Sequence, residues 1–349
     1  MPHPAEAAPG RPRRAGTLHW RLCHSRPGTA GRAAGVKAAT LAGVWPIGTV
    51  YRVTPLGGGS INGAFQVDAG ADLFHLRVYR DPRRERAERE LAAVQVARAA
   101  GVPTPAPVPT QRGGVLARLG EDWAALFERA PGQPIPRADL NPQTAAALGA
   151  FLATVHDRLP PAVPLEVPLL APPASVARTE ERLNAVRAAI LALPDLNTTD
   201  RWALTRLEQR LLHLRTAPLP DTVPDLPTRF LHGDYHDGNV LFSAGQPHAL
   251  IDWEQTRLAP RAWELVRCLH LSLGLAPELC QAFLAAYRTR LPLSADEVQA
   301  GAALYATLQE RNVWTLESVY LHGNPGPRAF IQPPPYVPFP VSWAQAEVT

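Results

Sequence analysis

The sequence predicts an α+β fold of two lobes, a small antiparallel sheet carrying one helix followed by a larger, mainly helical lobe. Short runs rich in branched and aromatic residues cluster between residues 50 and 130, around a single stretch of helix formers. Beyond residue 133 apolar side chains recur at helical spacing instead. The 38 prolines and 25 glycines of a 349-residue, 46% hydrophobic chain point to many short elements around a sizeable core, against solenoids and coiled coils. The expected boundaries are a disordered tail over 1–45, a first lobe over 46–130 and a second lobe over 131–349.

Residues 1–45 are rich in Ala, Arg, Pro and Gly and hold few large apolar side chains, too little surface to offset the entropy of ordering. INGAFQV (61–67) and LFHLRVY (73–79), separated by the turn-like DAGAD, read as a hairpin. Glu88 to Ala100 reads as a helix with Leu91 and Val94 on one side, stopped by Gly101 and Pro103. GGVLARL (113–119) and WAALFER (123–129) bracket Glu121 and Asp122 as a second hairpin, and Pro131-Gly132 breaks the pattern. In the second lobe Leu148, Phe151, Leu152 and Val155 recur at i, i+3, i+4 and i+7, one buried helical face. Residues 175–193, 200–215, 276–290 and 295–320 are further amphipathic candidates, with a β-like patch at 239–254 between them. The proline-rich tail from Gln332 reads as extended.

The formal charge of +4 comes from the tail, where seven cations (Arg11, Arg13, Arg14, Arg21, Arg26, Arg32, Lys37) face one anion, Glu6, leaving 28 cations against 30 anions, a net −2, for the rest. A body so close to neutral, with no basic stripe interleaved with aromatics, gives no footing for nucleic acid. Cys23, Cys268 and Cys280 are odd in number and form no CxxC, so neither a disulfide framework nor a zinc knuckle is expected, and a cytoplasmic location fits. No apolar run approaches the roughly 18 to 20 residues of a membrane span, so no membrane partner is expected. The oligomeric state has no signal in the sequence.

The chemistry is concentrated in FLHGDYHDGNVLF (230–242) and HALIDWE (248–254). His232, Asp234 and, after four intervening residues, Asn239 reproduce the H-x-D-x-x-x-x-N spacing of a kinase catalytic loop. Asp252 follows an apolar strand, in the place of a metal-binding aspartate. Phosphoryl transfer needs hard oxygen donors that hold Mg²⁺ against the β- and γ-phosphates, and a carboxylate that orients or deprotonates the attacking hydroxyl. Asn239 and Asp252 suit the metal, which leaves Asp234 for the hydroxyl. A metallohydrolase built on His232, Asp234, His236 and Asp237 would need further ligands from distant loops and leaves the glycine-rich hairpin without a role.

These two segments resemble the Brenner-type motif of aminoglycoside phosphotransferases and their relatives, among them choline, homoserine and methylthioribose kinases, and the resemblance covers about 45 to 320. It implies a protein-kinase-like fold, ATP or GTP with Mg²⁺, and a small-molecule hydroxyl as acceptor. The family's G-G-x-x-N loop, which covers the phosphates, is matched by Gly58, Gly59, Ser60, Ile61 and Asn62. Glu90, eleven residues before Gly101-Val102-Pro103, resembles the family's helix glutamate. WAALFERAPG resembles its hinge, which implies that backbone groups from Glu128 to Ala130 meet the adenine.

Lys37 is the only lysine and lies outside the first lobe, so the family's phosphate-binding lysine is missing. Arg77 stands in the matching strand position, where a guanidinium can grip phosphate and pair with Glu90. His75, two residues earlier on the same strand face, is expected to point towards the nucleotide, and Glu264 stands where many relatives carry an aspartate that braces the catalytic loop. His156 is expected to serve as a structural hydrogen-bonding group, and Trp314, Glu317 and Tyr320 as a core face. A sugar, amino alcohol or amino-acid-like hydroxyl is the expected acceptor in preference to an aminoglycoside, whose positive charges call for a concentrated acidic pocket. The alternative is a pseudokinase acting as a ligand-binding or interaction module, which Arg77 and His75 favour and Asp234, Asn239 and Asp252 oppose.

Overall fold

The computed structural model describes residues 37–56, 62–163, 165–220 and 224–348. In the first lobe β1 (Arg52–Pro55), β2 (Gly63–Ala69), β3 (Asp72–Tyr79), β4 (Ala117–Leu119) and β5 (Asp122–Glu128) form one antiparallel sheet in the order β1-β2-β3-β5-β4. Alternation along the strands gives the sheet two buried faces. Phe65, Val67, Leu76, Val78, Ala124 and Leu126 share one layer. Tyr79, Ala125 and Phe127 belong to the other, against Ala87, Leu91 and Val94 of α2 (Arg84–Ala99). The β2–β3 hairpin closes with Ala69 opposite Asp72, and Gly70 takes φ +85° to turn the chain, a value that favours glycine.

The tail ends earlier than the 1–45 boundary expected. Ala38–Val44 forms a helix, α1, and Leu41 and Trp45, four residues apart, are fully buried against the first of these layers. Fully burying such side chains is worth roughly 1.5–3 kcal/mol each, which anchors a short helix that would not persist alone. The expectation for residues 1–36 lies outside the described residues. Two further boundaries move: α2 begins at Arg84, and the strand expected over 113–119 shrinks to β4, because Gly113 turns at φ +90°.

The second lobe runs α3 (Pro142–Arg158), α4 (Val176–Leu191), α5 (Thr198–Thr216), β6 (Thr228–Leu231), β7 (Val240–Ser243), β8 (Gln246–Leu250), β9 (Arg257–Pro260), α6 (Arg261–Leu271), α7 (Pro277–Arg288), α8 (Ala295–Glu310), α9 (Trp314–Tyr320) and α10 (Phe339–Ala346). β6 pairs with β9 and β7 with β8, each antiparallel. α3 packs on α7 so closely that a Cβ at Gly149 would overlap the Phe283 backbone. Asn141 starts α3 with a capping box to Thr144.

The helix expected over 295–320 is two, α8 and α9, with the chain breaking where the Arg311 guanidinium donates to the carbonyls of Ala174 and Leu219. The tail expected to be extended contains α10, whose Phe339 and Trp343 lie four residues apart and pack into the main core. Of the face expected from Trp314, Glu317 and Tyr320, only Tyr320 packs against a core cluster, its hydroxyl donating to Asp200; Trp314 is 42% exposed and Glu317 binds Arg182.

Candidate active site

β6 carries Phe230 and Leu231 into the core and delivers the chain to the loop 232–239. Gly233 takes φ +82°, and a Cβ there would collide with the Gln255 carbonyl, so a side chain is excluded twice over. Its N–H donates to Glu264 Oε1, and Glu264, fully buried on α6, also meets His156 Nε2 at 2.9 Å. His156 Nδ1 lies 2.8 Å from the Tyr287 hydroxyl, and burial, outweighing Glu264, lowers the imidazole's pKa. The histidine thus has the structural role expected, and Glu264 braces the loop.

His232 Nδ1 accepts the Asp234 N–H at 3.2 Å, which leaves Nε2–H to donate to Ile251 O at 3.0 Å. Asn239 Nδ2 donates to Asp234 O at 2.9 Å, and Ile251 N–H donates to Asn239 O at 2.9 Å. Asp234, Asn239 and the approach to Asp252 are therefore one hydrogen-bonded unit. Asp252 adopts a left-handed backbone, φ 66° and ψ 67°, a conformation that a non-glycine residue keeps only when its surroundings enforce it.

Arg77 reaches this unit from β3. Its Nη2 donates to Asp252 Oδ1 at 2.9 Å and to Glu254 Oε2 at 2.6 Å, and its Nε lies 3.3 Å from Glu90 Oε2. The expected Arg77–Glu90 pair is present, although neither atom makes an aligned hydrogen bond, so the contact is mainly coulombic. Asn62 Nδ2 adds a 2.6 Å bond to Glu254 Oε2. Burial works against the Arg77 charge, but Glu90, Asp252 and Glu254 hold its pKa above the ordinary value. Burial drives Glu90 up to about 7 despite Arg77, while at Asp252 burial is outweighed by Arg77 and the carboxyl titrates below its usual range. His75 is pushed down to about 4 by burial and by Arg77.

Asp234 Oδ1 pairs with Arg267 Nη2 of α6, and its Oδ2 lies 3.8 Å from His236 Nε2. The Asn239 Nδ2 bond leaves that amide's Oδ1 for a cation, and the Asp252 carboxylate is 39% exposed. Among the described residues no three His, Cys, Asp or Glu side chains gather as a metal cluster, so a cation here would rely on the amide oxygen together with Asp252. Hard oxygen donors of this kind fit Mg²⁺.

The fold thus brings together Asn62, Arg77, Glu90, Asp234, Asn239 and Asp252, while Gly58, Gly59 and Ser60 lie outside the described residues. Glu128 and Ala130 line a cavity of about 350 Å³ with Gly101–Ala106 and His248, and none of the phosphate-handling candidates borders it. The Glu128 N–H is occupied by Ala106 O at 2.9 Å, whereas the Ala130 N–H has no protein acceptor among the described residues. Sequence reasoning missed Glu254 and Arg267. Their spacings, i+2 from Asp252 in IDWE and one helical turn from Glu264 in WELVR, place them beside the motif but carry no signal of the contacts they make.

Solved structures share this architecture. Spectinomycin phosphotransferase in complex with ADP and spectinomycin matches with a TM-score of 0.57 at 17% identity, over 89% of this chain and 98% of its own. Amicoumacin kinase with AMP-PNP, Ca²⁺ and its antibiotic matches at 0.51 and 16%, over 87% and 95%, and a microcompartment-associated aminopropanol kinase at 0.51 and 16%, over 85% and 94%. These likenesses establish the protein-kinase-like fold. An uncharacterised protein of Synechocystis sp. is 26% identical over 269 residues, 73% of this chain and 69% of that one. The model of the phosphotransferase enzyme family matches residues 52–300, from the first strand of the sheet through the loop 232–239 into α8, and this protein is a member of that family.

Proposed function

We propose that this protein transfers the γ-phosphate of ATP or GTP to a hydroxyl of a small molecule. The observation that carries the reading is the single unit formed by Asp234, Asn239 and Asp252 beneath Arg77. Arg77 grips phosphate oxygens, assisted by the loop Gly58, Gly59, Ser60 and Asn62, and Glu90 holds Arg77 in place. The Ala130 N–H meets the base edge, with Glu128 left to contribute through its carbonyl. Asn239 and Asp252 hold Mg²⁺, which when bound neutralises the charge developing on the transferred group. Asp234 orients the acceptor hydroxyl and takes its proton. The nucleotides bound by the structural neighbours support the donor. A pseudokinase is the second reading, favoured by the ion pair in which Arg77 occupies Asp252, the candidate metal ligand.

Two substitutions test it. Asp234→Asn keeps shape but cannot accept a proton, so nucleotide affinity holds while kcat falls about 10²–10⁴-fold, roughly 3 to 5 kcal/mol of barrier. Asp252→Asn weakens metal-nucleotide binding and turnover together. Near-parent kcat in Asp234→Asn, or a loss of nucleotide binding as severe as in Asp252→Asn, removes Asp234 from the role of base. Nucleotide binding with no Asp234-dependent turnover against any hydroxyl compound supports the pseudokinase instead.

A further inference from the structure

Arg257 and Arg267 flank Asp234, and neither guanidinium has all of its N–H donors taken by carboxylates. Arg267 gives Nη2 to Asp234, but its Nη1 is buried without a hydrogen-bond partner. Arg257 lies against the catalytic loop, since a Cβ on Gly233 would come 3.1 Å from its Nε. Its N–H groups go to neutral oxygens, Nε to Gln255 O at 2.9 Å and Nη2 to Gln255 Oε1 at 2.7 Å, and its guanidinium lies over Trp263, 5.5 Å from the ring centre. Burial, and after it the charge of Arg267, lowers the Arg257 pKa, as expected of two cations held close together. Of the nearby carboxylates, Asp237 pairs with Arg137, while Glu264, hydrogen-bonded to His156 and the Gly233 N–H, acts on Arg257 through its charge alone.

Several carboxylates of the helical lobe are paired with arginines. Glu180 pairs with Arg215, Asp200 with Arg328, Glu208 with Arg187 and Glu317 with Arg182. We propose that the acceptor carries, besides its hydroxyl, a carboxylate or phosphate group that Arg257 and Arg267 bind beside Asp234. The inference rests on the phosphotransfer reading above. Planar guanidinium groups suit either anion, because each offers paired N–H donors to paired oxygens. An anion on Arg267 also competes with Asp234 for that guanidinium, so binding of the acceptor loosens the base at the moment its hydroxyl arrives.

The test begins with AMP-PNP and Mg²⁺, followed by melting temperature. On the nucleotide-loaded protein, inorganic phosphate and glycerate are titrated separately as anion probes, with glyceramide as the neutral control. A saturable rise with at least one anion and none with glyceramide is expected. Arg257→Gln and Arg267→Gln weaken that response by at least about tenfold while leaving the AMP-PNP response intact. Turnover with hydroxy acids against sugar phosphates then tells the carboxylate source from the phosphate source. A normal AMP-PNP response with no anion response, or an anion response equal in parent and both variants, overturns the inference alone. So does a neutral or cationic alcohol used with the highest kcat/KM. No response to AMP-PNP overturns the phosphotransfer reading as well.

Discussion

Arg77 serves three carboxylates at once, Glu90, Asp252 and Glu254, from one planar group whose donors point in different directions. A lysine ammonium is a compact point charge on a flexible stem and does not reproduce that span. Arg77→Lys is therefore expected to raise the nucleotide Kd several-fold. Arg77→Ala raises it further and lowers stability by about 3–5 kcal/mol, because buried Glu90 loses its counter-charge. Titration calorimetry and urea unfolding read the two effects separately; equal nucleotide affinity in all three proteins would show that Arg77 is not the phosphate anchor. Its position and its pairing with Glu90 were legible from spacing and resemblance. Glu254 was not, because a separation of two residues says nothing about a contact that crosses between lobes through a left-handed turn at Asp252. Arg267 was hidden for a related reason: its spacing from Glu264 places both on α6 but does not reveal which loop packs there.

At the level of elements, the hairpins and the α3 face were readable because period-two alternation, turn glycines and helical spacing are local signals. α1 was not, since the arginine, proline and glycine of residues 1–36 dilute Leu41 and Trp45 in any compositional reading. α10 was masked in the same way by the prolines around it. The α8–α9 break has no glycine or proline to announce it and depends on Arg311 reaching distant carbonyls. If α1 is integral to the first lobe, Trp45→Ala should cost about 3–5 kcal/mol, the usual penalty for emptying a large buried aromatic site. The gauge is the urea midpoint at constant m-value; a midpoint within error of the parent would make α1 an accessory.

Over the whole molecule, acid sensitivity is shared by both lobes. Burial lowers the pKa of His75 on the sheet and His270 on α6 from 6.5 to about 4, with Arg77 adding to the effect at His75, and Arg137 and Arg267 at His270. Between those values the unfolded chain binds the extra protons, so the stability these histidines contribute is full above 6.5 and is lost as pH falls towards 4. Glu90, raised from 4.5 to about 7, acts in the opposite sense and loses stability as pH rises through that window. His270→Gln isolates one of the three: its urea midpoint should fall less steeply than the parent's between pH 7 and pH 5. Parallel profiles would mean that the ring gains its proton without cost to the fold.

Arg77 and Asn62 hang from the sheet, whereas Asp252 and Glu254 rise from the other lobe, and their hydrogen bonds fasten one lobe to the other where the phosphates would lie. An arriving nucleotide must wait for that clasp to part. In a stopped-flow experiment the observed association rate should climb with nucleotide concentration and then flatten at the unclasping rate, the signature of a conformational step ahead of binding. Glu254→Gln removes one charge from the clasp and should lift the plateau and steepen the initial slope together; a rate that stays linear to the highest concentration would mean that the clasp opens faster than nucleotide arrives.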